Sequence, residues 1–320
     1  MLMNEQNKPL IIFDTDMDTD CDDVGALAML LNAHLSKKAE LLGIITDSVC
    51  KYAAPFCETM TRFYEVSLPI GAIYERDYQD TDSNIKRFEN YRKHSDYCFK
   101  QQGYNYVLSK EIQKNDIDYP PAVKMYRELL ANARDRSVTV LCVGLLTSVA
   151  EALSSPPDSI SPLSGVELFR QKVYRVITMG NPEKINDFNW GMDAYAAKRF
   201  FDLCPVPVYI SPEGADIITG AHLSRLHSQH PLRRAYELWL GKEGCGRASW
   251  DLIASLFAIN PSCPHLTQRD LGTCRYSSTE KKLYECDSLK GQFKLLSTSC
   301  EPSLMANLLN EYMLGNFDLQ

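Results

Sequence analysis

No run of this sequence is long and apolar enough to serve as a membrane span. Its first residues, MLMNEQNKPLIIFD, lack the basic-then-apolar pattern of a secretory leader. A cytoplasmic protein is the expectation. The eleven cysteines contain no CxxC pair and no zinc-type spacing, which excludes the common structural zinc modules. Several, such as Cys142 in VTVLCVG, lie in apolar runs where a reduced thiol packs as a small hydrophobe. Basic charge is scarce as well: 34 Lys and Arg against 41 Asp and Glu leave a net charge of −7. That balance excludes a general nucleic-acid binder, which needs a basic face, and suits a cation site. Internal repeats and low-complexity tracts are missing too.

What is present fits one large folded domain over residues 1–320, with 45% hydrophobic and 23% charged residues. Short apolar runs rich in β-branched residues predict strands at 10–13, 41–46, 138–143, 173–179 and 206–210. Helical patterns at 24–34, 54–64, 122–133, 147–153 and 193–203 alternate with them. The alternation predicts an α/β fold: a single open, mostly parallel sheet with helices on both faces. Residues 74–119 are polar and rich in Tyr, Lys and Asp, which predicts an insertion or lid within the domain. The segment KKLYECDSLKGQFKLLS predicts a hairpin turning at 288–291.

The chemistry concentrates in IIFDTDMDTDCDDVGALAMLL. Asp14, Asp16, Asp18, Asp20, Asp22 and Asp23 lie between the end of a buried strand and the start of an apolar helix. Crowding carboxylates costs Coulomb energy that a hard divalent cation offsets. The position beyond a strand's carboxyl end is where open α/β sheets bind ligands. Helix capping accounts for one or two of these aspartates, not six. An EF-hand loop starting at Asp14 needs Gly sixth and Glu twelfth, where Thr19 and Gly25 stand. A phosphatase D-x-D-x-T pattern fails because Asp18 and Asp20 follow Asp14 and Asp16 by four.

The stretch D-T-D-M-D-T-D-C-D-D resembles the longer-spacer form of the acidic loop in the inosine/uridine-preferring nucleoside hydrolase family, with Asp18 where Gly is usual. Three further segments are similar in order and spacing, so the resemblance covers nearly the whole chain. They are VGLLTSVAEAL, MGNPEKINDFNWGMDAYAA and ASWDLIASLFAIN. The resemblance implies a Rossmann-like nucleoside hydrolase fold and a calcium-dependent hydrolase that releases base and ribose from ribonucleosides. Calcium would be held by Asp16, Asp23, Asp251 and the backbone carbonyl of Thr147, with Asp16 also taking the proton of the attacking water. Asp22, Asn181, Asp187, Asn189 and Asp251 would hold the ribose, Asp187 standing where Glu is commoner.

Trp250 occupies the position where many members carry a His that acts on the leaving base. Members preferring purine nucleosides resemble this chain in carrying Trp, which implies stacking on the base and purine preference. The leaving-group acid is then unassigned, a Tyr from 74–119 being one candidate. In GIITDSVCKYAAPF, Cys50 stands near a position where members often have Asn, with Asp47 close by. These departures leave open a differently specific or non-catalytic riboside-binding member. A metal-dependent phosphatase is a more distant alternative. The family also implies a homo-oligomer acting on a small molecule, with no nucleic-acid or membrane partner.

Overall fold

A strand with both faces buried reads as a continuous apolar run, and β1 (Leu10–Thr15), LIIFDT, is buried at all six positions. In the computed structural model, which describes residues 8–18, 20–74, 103–115, 117–287 and 291–318, alternate residues of β1 serve opposite layers. Ile11 and Phe13 pack with the helices Asp22–Leu35, Trp250–Ile259 and Pro302–Met313. Ile12 packs with Ala122–Asn132, Thr147–Ser154 and Ala194–Leu203. The two-residue period of a strand thus builds the helix–sheet–helix sandwich.

The other strands are β2 (Glu40–Thr46), β3 (Ile70–Ala72), β4 (Val138–Cys142), β5 (Val173–Met179) and β6 (Val208–Ser211), then β7 (Ile218–Thr219) and β8 (Arg247–Ala248). They are followed by β9 (Leu266–Ser277), β10 (Lys282–Asp287) and β11 (Phe293–Thr298). Nine of them form one sheet in the order β10-β9-β11-β6-β5-β4-β1-β2-β3, while β7 and β8 pair separately. From β3 to β11 every neighbour is parallel. Chain order reverses between β1 and β4, and the crevice beyond their carboxyl ends is the topological switch point where such sheets take ligands. The acidic loop leaves β1 at that place.

All five predicted strands form. The last begins at Val208 rather than 206, because Pro207 has no N–H to give the ladder and contributes only its carbonyl, to Val176. The predicted hairpin at 281–297 is corrected. β10 and β11 are not neighbours: the twelve-residue β9 lies between them and pairs antiparallel with both. The hairpin joins β9 to β10, with Lys281 at φ 52° in the turn. Long β9 outcompetes the local pairing, and the expected turn at 288–290 lies outside the described residues.

Most of the predicted insertion, 75–102, also lies outside them. Its far end forms two short helices, Tyr104–Leu108 and Lys110–Gln113. Tyr104 is fully buried, and its hydroxyl donates to the Asp20 carbonyl at 2.8 Å. No described helix is long and apolar enough to cross a membrane. The ten described cysteines are all free, and burial pushes the Cys204 thiol up to about 12. Such thiols are inert.

Candidate metal and sugar site

Asp22 and Asp23 begin the first helix, but neither caps it. The N-cap is Cys21, which makes no side-chain cap bond, so both aspartates lie inside the first turn. Asp251 stands likewise in the first turn of Trp250–Ile259, after the N-cap Ser249. Carboxylates there meet the positive ends of two helix dipoles. The helices start side by side because Gly25 lets them close: a Cβ there would lie 2.6 Å from the Tyr236 hydroxyl and 3.0 Å from Leu252.

That packing brings one carboxylate oxygen each of Asp22, Asp23 and Asp251 within 4.8 Å of one another, all three residues buried. Asp22 accepts from the Asp251 backbone N–H at 3.2 Å, and the Thr15 hydroxyl donates to Asp23. All three are held well above the ordinary carboxylate range by burial first. Repulsion follows, chiefly from Asp20 on Asp22, from Asp16 on Asp23 and from Asp22 on Asp251. A divalent cation removes that repulsion, and an all-oxygen donor set fits a hard ion.

Beneath the cluster, the Tyr126 hydroxyl donates to Asp14 at 2.5 Å, and the buried Asp47 carboxylate stands close enough to repel that of Asp14. Both are pushed up by burial. The loop after β4 passes close by. A Cβ on Gly144 would lie 2.4 Å from the Asp16 backbone nitrogen and 2.8 Å from an Asp47 oxygen, so only glycine leaves Asp16 where it is.

A cavity of about 300 Å³ opens over these groups. Of the sequence-predicted residues, Asp16, Asp22, Asp23, Asp187, Asn189, Trp250 and Asp251 line it. Thr147 and Asn181 are not among its lining. The Thr147 hydroxyl donates to Asp193 at 2.9 Å, and the Asn181 side chain closes a local turn by accepting from Glu183 N–H at 2.9 Å. Asp187 is an N-cap, accepting from Trp190 N–H at 3.4 Å and from Asn181 N–H at 3.0 Å. Asn189 spends its amide protons on the Val143 carbonyl, at 2.6 Å, and the Met179 sulfur, which leaves its Oδ1 as an acceptor.

Cys50 does not reach the cavity; its sulfur accepts from Asn105 at 3.2 Å. Nor does any described tyrosine of the 74–119 stretch line it. Gly214 seats Trp250: it has φ +138°, its carbonyl accepts from Ser249 N–H at 2.9 Å, and a Cβ there would lie 2.5 Å from the Trp250 nitrogen.

Three charged lining residues received no individual role from the sequence. Asp20 holds Arg247 through both carboxylate oxygens, at 2.6 and 3.0 Å. The Arg247 guanidinium carbon also stands 5.3 Å from the Trp250 ring centroid. Asp20 holds the Arg247 pKa above its ordinary value. Lys184, exposed, lies at the rim beside Asp187. Only the place of Arg247 in GRASW, three residues ahead of Trp250, hinted at its role.

A family model described as "Inosine-uridine preferring nucleoside hydrolase" matches residues 11–270. Among solved structures, the Bacillus anthracis inosine-uridine preferring nucleoside hydrolase is similar at 14% identity and TM-score 0.64, over 96% of this chain and 99% of that one. A purine-preferring ribonucleoside hydrolase from Gardnerella vaginalis is similar at 15% identity and TM-score 0.59, over 96% and 99%. The type III effector XopQ, solved with adenosine diphosphate ribose, is similar at 13% identity and TM-score 0.69, over 97% and 94%. No curated protein matches the chain significantly.

Proposed function

Because the chain belongs to the inosine-uridine preferring nucleoside hydrolase family, we propose that its acidic cavity hydrolyses the N-glycosidic bond of ribonucleosides, with purine nucleosides preferred and calcium as the resident ion. The observation that carries this reading is the meeting of Asp22 and Asp23 with Asp251, 228 residues farther along, at two helix starts. The proposed ligands are Asp16, Asp23, Asp251 and the Thr147 carbonyl. Bound there, a hard cation supplies Lewis acidity that makes water a stronger acid.

The chain's own groups account for the remaining tasks. Asp16 takes the proton of the attacking water as its oxygen bonds to C1′. Asp22, Asp251 and the Asn189 Oδ1 hold ribose hydroxyls, Asp187 lines that wall, and Asn181 supports it by donating its backbone N–H to Asp187. As the C1′–N bond breaks, its electron pair passes to the base, which stacks on Trp250. Arg247 stabilises the departing anion: Nε and Nη2 are engaged by Asp20, so Nη1 remains to donate. The proton that finally neutralises the base comes from solvent. We place residues 103–115 as the fixed end of a lid, and a cytoplasmic homo-oligomer completes the proposal.

The test is ribose release from a panel of purine and pyrimidine nucleosides, with calcium and then with chelator. Release that needs calcium supports the reading; none from any substrate contradicts it. A second reading, a riboside-binding member without turnover, is favoured by Trp250 standing where a His would act. Adenosine diphosphate ribose belongs in that panel because XopQ was solved with it and Lys184 and Arg247 line this cavity. Thermal stabilisation by a riboside without hydrolysis supports the second reading.

A further inference from the structure

At the opposite end of the sheet, the amino-terminal ends of β1, β4 and β5 border a second cavity of about 620 Å³. Arg175 lines it from β5, four residues and about 13 Å of strand before Met179, which lines the acidic cavity. The charge of this second cavity runs against that of the chain. Lys8, Arg134, Arg136 and Arg175 line it with a single carboxylate, Asp135, in a protein of net charge −7. Asp135 is already taken by Lys172 at 2.8 Å, and Lys8 pairs with Glu40 at 2.8 Å. Among the described residues, no carboxylate pairs with Arg134, Arg136 or Arg175.

Arg175 is the unusual member, being only 6% exposed. Its guanidinium carbon stands 4.7 Å from the Phe257 ring centroid and 5.8 Å from those of Tyr174 and Tyr209. Those ring faces attract the cation but satisfy few of its protons. Nε donates to the Thr139 hydroxyl at 3.2 Å, and neither Nη has a protein partner among the described residues. A buried guanidinium without a counter-ion is costly, and burial draws its pKa down.

We propose that this cavity binds a phosphate-bearing small molecule, its oxyanion gripped by the two Nη groups of Arg175 and enclosed by Arg134 and Arg136. Three guanidinium groups with no carboxylate partner among the described residues suit a multiply charged oxyanion better than a single carboxylate, and the planar fork matches phosphate geometry. The exposed Tyr174 ring at the edge offers a stacking face. The site stands apart from the proposed hydrolysis and does not depend on it.

The test is calorimetric titration of the metal-free protein with inorganic phosphate and with pyrophosphate at constant ionic strength. It is repeated on Arg175→Met, on the surface double variant Arg134→Ala/Arg136→Ala, which leaves the buried residue intact, and on Arg247→Met. Saturable binding by the parent protein is expected, weakened at least about 10-fold in the first two and unchanged in Arg247→Met. Tighter binding of pyrophosphate than of phosphate supports a diphosphate-bearing ligand. No saturable binding overturns the proposal, as does weakening by Arg247→Met, which places the anion in the acidic cavity. Self-association of the parent that Arg175→Met abolishes, with no phosphate binding, overturns it in favour of a second copy of the chain.

Discussion

Asp20 and Arg247 lie 227 residues apart in sequence and share a two-oxygen ion pair, 2.6 Å at its shortest, at the edge of the acidic cavity. The pair ties the loop after β1 to the segment that launches Trp250, and it orients the guanidinium beside the indole. Arg247→Met is expected to cut kcat for inosine by about 10²-fold, the scale of a lost donor to a developing anion. A riboside with a good leaving group, such as 4-nitrophenyl riboside, needs that donor less, so its rate should fall far less. Steady-state kinetics on the two substrates check this; equal losses contradict it.

Trp250→Ala removes the stacking face. An aromatic pair contributes about 0.5–1.5 kcal/mol beyond its buried area, so KM for purine nucleosides should rise about 3- to 10-fold. Comparing KM for inosine and uridine in both proteins checks it, the purine being the more affected.

Calcium and pH should be linked through the buried carboxylates. Without metal, Asp22, Asp23 and Asp251 keep their protons to higher pH than in the unfolded chain, where release is centred near 3.8. Between those values the folded state binds more protons, so the stability of the metal-free protein falls as pH rises from about 4 through the raised folded values. A bound cation favours the ionised groups and cancels that loss. The Tm difference between calcium and chelator should therefore be larger at about pH 8 than at about pH 5, measured by scanning calorimetry.

Gly144→Ala is expected to weaken calcium binding at least about 10-fold without replacing a ligand, because its methyl collides with the backbone of the proposed ligand Asp16 and displaces it. Calcium titration of the folded variant checks it; unchanged affinity would mean that Asp16 does not hold the ion.

The sheet and both helical layers were legible because β1 and β4 are buried at every position, β2 and β5 over most of theirs, and all four read as largely apolar, β-branched runs. The acidic loop was legible for the opposite reason, since six aspartates at a strand end have no packing role that needs them all. Pairing was less visible. Nothing local tells KKLYECD to join β9 rather than the strand after it, and nothing marks Asp20 and Arg247 as partners before the fold joins them. Asp187 shows another side of the problem: its acid reads as a sugar ligand and it does line the cavity, but one oxygen also caps a helix by accepting from Trp190 N–H and the other accepts from Asn181 N–H, a second role that only the folded hydrogen bonds reveal.

The central claim is that Asp22, Asp23 and Asp251 converge to bind the ion that hydrolysis requires. Its most direct test is calcium affinity and ribose release from inosine, measured together on the parent protein and on Asp251→Asn. The account predicts that the parent releases ribose in proportion to bound calcium and that Asp251→Asn loses both. Full ribose release by Asp251→Asn, or by the parent protein stripped of metal, would contradict it.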